Sequence, residues 1–159
     1  MSDTELTHEV IGAAIEVHRI LGPGLLESLY QRSLEKELEL RGIETLAQHR
    51  LPIEYKGLSL GDDLVLDFYF HGKLVVELKA VAELAPVHTA QLMTYMKLSN
   101  VPLGLLINFN VPVLKNGIQF LRMESNVFPY KANHRDTEAQ RRRKGLSPLL
   151  FSVSLCLCG

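Results

Sequence analysis

Leu64-Val65-Leu66-Asp67-Phe68-Tyr69-Phe70, then His71-Gly72, then Lys73-Leu74-Val75-Val76-Glu77-Leu78-Lys79-Ala80 is the stretch that decides the fold. Both runs alternate. Leu64, Leu66, Phe68 and Phe70 fall on one side of the first, and Leu74, Val76, Leu78 and Ala80 on one side of the second. A period of two predicts strands, and the His-Gly between them marks a hairpin. Asp67, Glu77 and Lys79 interrupt these otherwise apolar strands. Ionised groups are costly to bury unless they are paired or put to use. One use suits all three. Two carboxylates hold Mg²⁺ or Mn²⁺ beside a phosphate through hard oxygen ligands, while the lysine orients water and stabilises developing negative charge.

Whether the three groups meet depends on the turn. By period two, Glu77 and Lys79 share a face with Val75. A two-residue loop of His71-Gly72 would pair Asp67 with Val76 and point it away from them. A three-residue loop of Phe70-His71-Gly72 pairs Asp67 with Val75 and turns all three to one side. Gly72 suits the left-handed position that such a loop needs, so that loop or an equivalent bulge is expected. The bland alternative is an exposed ion pair on a two-stranded ribbon, worth little energetically.

Outward from the ribbon, residues 86–99 return to helical spacing, opened by Pro86, a favoured first-turn residue. Leu103–Phe109, LGLLINF, suits a buried strand, and Ile118–Met123 a last one. Upstream, Leu51–Tyr55 is strand-like. Residues 5–21 read as a helix with Val10, Ala14, Val17 and Leu21 at helical spacing, stopped by Gly22-Pro23-Gly24. A second helix covers about Leu25–Arg41, with Gly42 as its stop. The order predicts an α/β unit, a mixed sheet flanked by helices. From Glu124 the character shifts to a polar segment ending in Arg141-Arg142-Arg143-Lys144 and then to LSPLLFSVSLCLCG. Residues 1–123 are therefore expected to form the domain, and 124–159 an extension of unknown role, a linker plus an apolar tail.

Two further polar residues fall where apolar ones are expected. Glu27 projects into a stripe of Leu26, Tyr30, Leu34 and Leu38 on the second helix. It reads either as a third metal ligand or as a first-turn acid favoured by the helix dipole. Gln91 is flanked by Val87, Tyr95 and Leu98 on a face expected to meet the sheet. It suits a hydrogen bond to a carboxylate, a water or a nucleotide, or simply a satisfied buried amide. His18 and His88 lie near inward faces and read as structural before they read as ligands.

Composition sets limits. Across 159 residues, 17 Lys+Arg against 18 Asp+Glu give a formal charge of −1, so a phosphate partner must be met by a local patch or by metal ions. The only cysteines, Cys156 and Cys158, exclude a disulfide framework and make zinc a poor expectation. With no signal-like leader and no run of membrane-spanning length, a cytoplasmic protein without a membrane partner is expected. Gly22-Pro23-Gly24 lacks the Gly-Lys-Ser/Thr ending of a phosphate loop, and Arg141–Lys144 reads as a solvated charge run.

Several ordered motifs then resemble one family. Gly24-Leu25-Leu26-Glu27-Ser28-Leu29-Tyr30 matches the GxxExxY protein family signature. IGAAIEVHRILGPG, VVELKAV, AQLMTYMKLSN and LGLLINFN also look like that family, over about residues 5–123. The family is placed in the PD-(D/E)xK nuclease superfamily, so the resemblance implies a restriction-endonuclease-like core. By that resemblance Asp67, Glu77 and Lys79 take the catalytic positions, and Glu27 the additional acid from an N-terminal helix. Gln91 and Tyr95 resemble the Gln-x-x-x-Tyr pair of RecB-like nucleases. Leu66 stands where a proline often precedes the aspartate. The expected activity is hydrolysis of phosphodiester bonds in DNA, or RNA, with Mg²⁺ or Mn²⁺ held by Glu27, Asp67 and Glu77. The rivals are a catalytically silent module of the same fold binding nucleic acid or a protein, and an interaction protein whose tail adds a strand to a partner. Homo-oligomerisation stays open.

Overall fold

The computed structural model describes residues 2–123, which belong to one compact unit. The expected extension over 124–159, with Arg141–Lys144 and both cysteines, lies outside the described residues. Helix α1 spans Asp3–Leu21 and opens on a capping box, in which the Ser2 hydroxyl accepts from the Glu5 N–H and Glu5 accepts from the Ser2 N–H. Helix α2 spans Glu27–Leu40. It ends where Gly42 takes φ +68 and the Gly42 and Ile43 N–H groups donate back to Glu39 and Leu38. Strands β1 (Leu46–Tyr55), β2 (Leu58–Phe70) and β3 (Leu74–Lys79) follow, then α3 (Pro86–Ser99), β4 (Leu103–Asn108), a short 3₁₀ turn at Leu114–Gly117 and β5 (Ile118–Arg122).

The five strands form a single sheet in the order β1-β2-β3-β4-β5. All neighbours are antiparallel except β3 and β4, which α3 joins as a parallel crossover. Helices α1 and α2 cover one face. There Val10, Ala14, Val17, Tyr30, Leu34 and Leu38 pack against Phe68, Phe70, Leu74, Val76, Leu78 and Ile107. Helix α3 covers the other through Leu92, Tyr95 and Met96, against Val75, Leu66 and Leu106. Strands β3 and β4 are covered on both faces, which is why their sequences are nearly continuous apolar runs.

The alternation of β2 holds in burial but not in sidedness. Phe68 and Phe70 join the α1/α2 cluster, whereas Leu64 and Leu66 join the α3 cluster. Partners on β1 make the same exchange, Ala47 on one side and Leu51 on the other. The β1–β2 ribbon thus changes sides at the level of Gln48 and Asp67. Beyond that level it continues past the expected Leu51–Tyr55 strand to a tight Lys56-Gly57 turn, with φ +51 and +82.

The β2–β3 hairpin differs from its expected form by one residue. Its three-residue loop is His71-Gly72-Lys73, with Phe70 paired to Leu74 and the Lys73 N–H donating to the Phe70 carbonyl at 2.8 Å. Phe70 is paired because it belongs to the α1/α2 core cluster and cannot leave it for a turn. Continuing the observed register brings Asp67 level with Glu77 instead of Val75. The shift is even, so the sidedness on which the site depends survives.

Two helix faces also differ from expectation. Leu26 is the residue before α2 and is 72% exposed, so the apolar stripe begins at Tyr30. Val87 is exposed, and the inward stripe of α3 is Leu92, Tyr95 and Met96. Among the described residues no helix is long and apolar enough to cross a membrane.

Gly117 sits where a Cβ would strike the Asn108 carbonyl and the Val111 side chain. Overpacking against fixed backbone is destabilising. Gly117→Ala is expected to lower stability by about 1–3 kcal/mol, read as a reduced urea midpoint at unchanged slope.

Candidate active site

Asp67 lies where the β2–β3 ladder stops. The last paired residues are Phe68 and Val76. The next donor on β3, the Leu78 N–H, is taken by the Asp67 side chain, at 2.8 Å from Oδ2. The carboxylate replaces a backbone carbonyl and so sits against the very strand that carries Glu77 and Lys79. Its other oxygen, Oδ1, accepts from the Gln48 amide at 3.1 Å. Gln48 has no apolar pattern around it and stands out only through its positive φ, which is why sequence reasoning misses it.

Glu77 is 3% exposed. Lys79 Nζ donates to its Oε1 at 2.5 Å, while Oε2 is buried and, among the described residues, has no hydrogen-bond partner. Period two puts the two side chains next to one another along one face, as their spacing predicts. Burial first, then the nearby Asp67 charge, push the Glu77 carboxyl up to about 7 against the pull of Lys79. Burial also raises Asp67, only partly offset by the Leu78 N–H, Lys79 and Gln48. Burial opposes the Lys79 ammonium, but its bond to Glu77 and the charges of Glu77, Glu27 and Asp67 outweigh that and hold its pKa above the ordinary value. These neighbours therefore favour the charged form of Lys79.

Glu27 reaches this group through charge, acting on both Glu77 and Lys79. Its position is set by the tyrosine three residues on. The Tyr30 hydroxyl donates to the Gly22 carbonyl at 2.6 Å and accepts from the Leu25 N–H at 3.1 Å, closing the Gly22-Pro23-Gly24 turn. The Tyr30 ring stacks on Phe109, with centroids 4.5 Å apart, and the Phe109 N–H donates to the Lys79 carbonyl at 2.8 Å. The first turn of α2 is thus tied to the end of β3. Asn108, missed in the sequence because it closes an apolar run, is 1% exposed. It donates to the Val81 carbonyl and accepts from the Val81 and Asn110 N–H groups, fixing the chain that leaves Lys79.

Gln91 donates to Tyr95 Oη at 2.7 Å, and among the described residues neither bonds to the carboxylates. His88 accepts from the Ala85 N–H at the start of α3, and His18 bonds the Val111 carbonyl, so both histidines serve the fold.

Among the described residues no three His, Cys, Asp or Glu side chains are gathered as a metal centre. The donors nevertheless suit a hard divalent cation. They are all carboxylate oxygens, and among the described residues the buried Glu77 Oε2 has no hydrogen-bond partner. Asp67 and Glu77, with the charge of Glu27 acting on Glu77 from α2, outnumber the Lys79 ammonium, a balance that disfavours a phosphate.

The Glu77 carboxyl has a pH consequence. Its folded pKa lies above the ordinary 4.5, so the folded protein binds this proton more tightly than the unfolded chain. Wild-type stability should fall, relative to Glu77→Gln, as pH rises from 4.5 to about 7, and the gap should stay constant above that. The full difference is up to about 3 kcal/mol. Denaturation of both proteins in chelator across this range checks it, and a pH-independent gap would refute it.

No curated protein and no solved structure matches the chain. The family model of the PD-(D/E)XK nuclease superfamily matches residues 4–121, a span from the first helix into the last strand that carries Asp67, Glu77 and Lys79 together. On a match covering most of its length, the chain belongs to the PD-(D/E)XK nuclease superfamily.

Proposed function

We propose that this chain is a metal-dependent nuclease that hydrolyses phosphodiester bonds in DNA, with Asp67, Glu77 and Lys79 as its catalytic set. The observation that carries this reading is the buried Oε2 of Glu77 beside Asp67, which has no hydrogen-bond partner among the described residues. A buried carboxylate oxygen of this kind calls for a donor or a cation, and a divalent ion would meet that need. Asp67 and Glu77 would hold Mg²⁺ or Mn²⁺, and Glu27 would support them with its charge. A bound cation of this kind supplies Lewis acidity toward the phosphate and lowers the pKa of water.

The chain's own groups do the rest. Leu78 and Gln48 fix the rotation of the Asp67 carboxylate. Lys79, kept protonated by its neighbours, donates to the attacking water or to the charge that grows on the phosphate oxygens. Glu77 would hold the cation in its ionised form, which burial otherwise disfavours. Gln91 and Tyr95, bonded to one another on α3, would support the substrate side. The resemblance of Gly24–Tyr30 to the GxxExxY signature agrees with this assignment of Glu27.

Asp67→Ala, Glu77→Ala and Lys79→Ala should each reduce cleavage of a labelled oligonucleotide by about 10²-fold or more, with the fold intact by circular dichroism. Single- and double-stranded DNA and RNA, each with Mn²⁺ and with chelator, form the substrate panel. Wild-type activity equal to that of Lys79→Ala would defeat the assignment. Mn²⁺ binding by the wild type without cleavage of any substrate would identify a silent module instead.

A further inference from the structure

We propose that Gln48, on β1, is a positioning residue for Asp67, an assignment that rests on the two-carboxylate reading of the site. Three observations meet at this residue. First, its backbone lies at φ +50, in the left-handed region that a non-glycine residue adopts only at a cost in free energy. Second, the β1–β2 ladder pairs Ala47 with Phe68 and His49 with Leu66 but skips Gln48 and Asp67 between them. Third, the Gln48 side chain turns to Asp67 and donates its amide to Oδ1 at 3.1 Å.

Packing does not account for this conformation, because Gln48 is exposed. Nor does the hydrogen bond as a source of stability, since an exposed one contributes little. Its geometric effect is larger. Leu78 holds Oδ2 from β3 and Gln48 holds Oδ1 from β1, so the carboxylate is oriented from both neighbouring strands. Each carboxylate oxygen keeps another lone-pair direction, which stays available to a cation. Next to Gln48, the His49 ring stacks on Tyr69 with centroids 4.8 Å apart, holding β1 at the right level on β2. Groups that orient metal ligands in this way commonly tune affinity by 10–100-fold.

The test is calorimetric titration of the full chain with Mn²⁺, paired with thermal denaturation in chelator. Gln48→Gly relieves the left-handed backbone and removes the donor. Gln48→Met keeps the side chain's length and removes the donor alone. Both should raise the Mn²⁺ Kd by about 10-fold. The melting temperature should stay the same or rise in Gln48→Gly and stay the same in Gln48→Met. An unchanged or tighter Kd in both variants overturns the assignment. Weaker binding accompanied by a lower melting temperature in both assigns Gln48 to the fold and also overturns it. If the wild type binds Mn²⁺ while the variants match it, Gln48 alone is misassigned. If the wild type does not bind Mn²⁺, the two-carboxylate reading itself fails, and this assignment with it.

Discussion

The hydrogen bond from the Leu78 N–H to Asp67 Oδ2 is the contact on which the site depends. It stands at the point where β2 and β3 stop pairing, after Phe68 and Val76. A continued ladder would have used that N–H for a carbonyl, and the Asp67 side chain would have had no reason to sit against β3. By substituting for the carbonyl, the carboxylate satisfies a buried donor and is delivered beside Glu77. Backbone hydrogen bonding, which must be satisfied somewhere in a buried strand, is thereby made to place a functional group.

The remaining contacts hold this junction from its other sides. Strand β4 runs parallel to β3 and ends with Asn108, whose amide clamps Val81 just past Lys79. Tyr30 stacks on Phe109, and Phe109 bonds the Lys79 carbonyl, so α2 and the end of β3 share one anchor. Here the Gly-x-x-Glu-x-x-Tyr spacing acquires a physical meaning. The glycine turn needs Tyr30 to close it, and the closed turn sets where α2 begins, hence where Glu27 lies. Glu27 supplies charge, but Tyr30 supplies its place.

Much of this was legible in the sequence. Period two in 64–70 and 73–80 found both strands, and the shared face of Glu77 and Lys79 followed from spacing alone. What escaped was any feature fixed by neighbours distant in sequence. Phe70 belongs to the core cluster under α1 and α2, so the turn moved one residue onward to Lys73, a choice no local pattern encodes. Leu64 and Leu66 keep the alternation of Phe68 and Phe70 yet pack on the opposite face, because the ribbon changes sides at Gln48. Gln48 and Asn108 looked ordinary, since an amide is informative only once its partner is known.

The site's charge balance also explains how a near-neutral chain can act on a polyanion. A strongly basic surface is one way to gather phosphate, through counterion release. The alternative is a small cluster of acids whose mutual repulsion a bound cation would relieve. Burial raises both Asp67 and Glu77, and their proximity adds to the strain on Glu77. Lys79 offsets part of it but reaches only one oxygen of Glu77. The remaining carboxylate oxygens suit a positive partner that takes oxygen ligands. In the function proposed above, a divalent ion held by Asp67 and Glu77 would supply that positive charge.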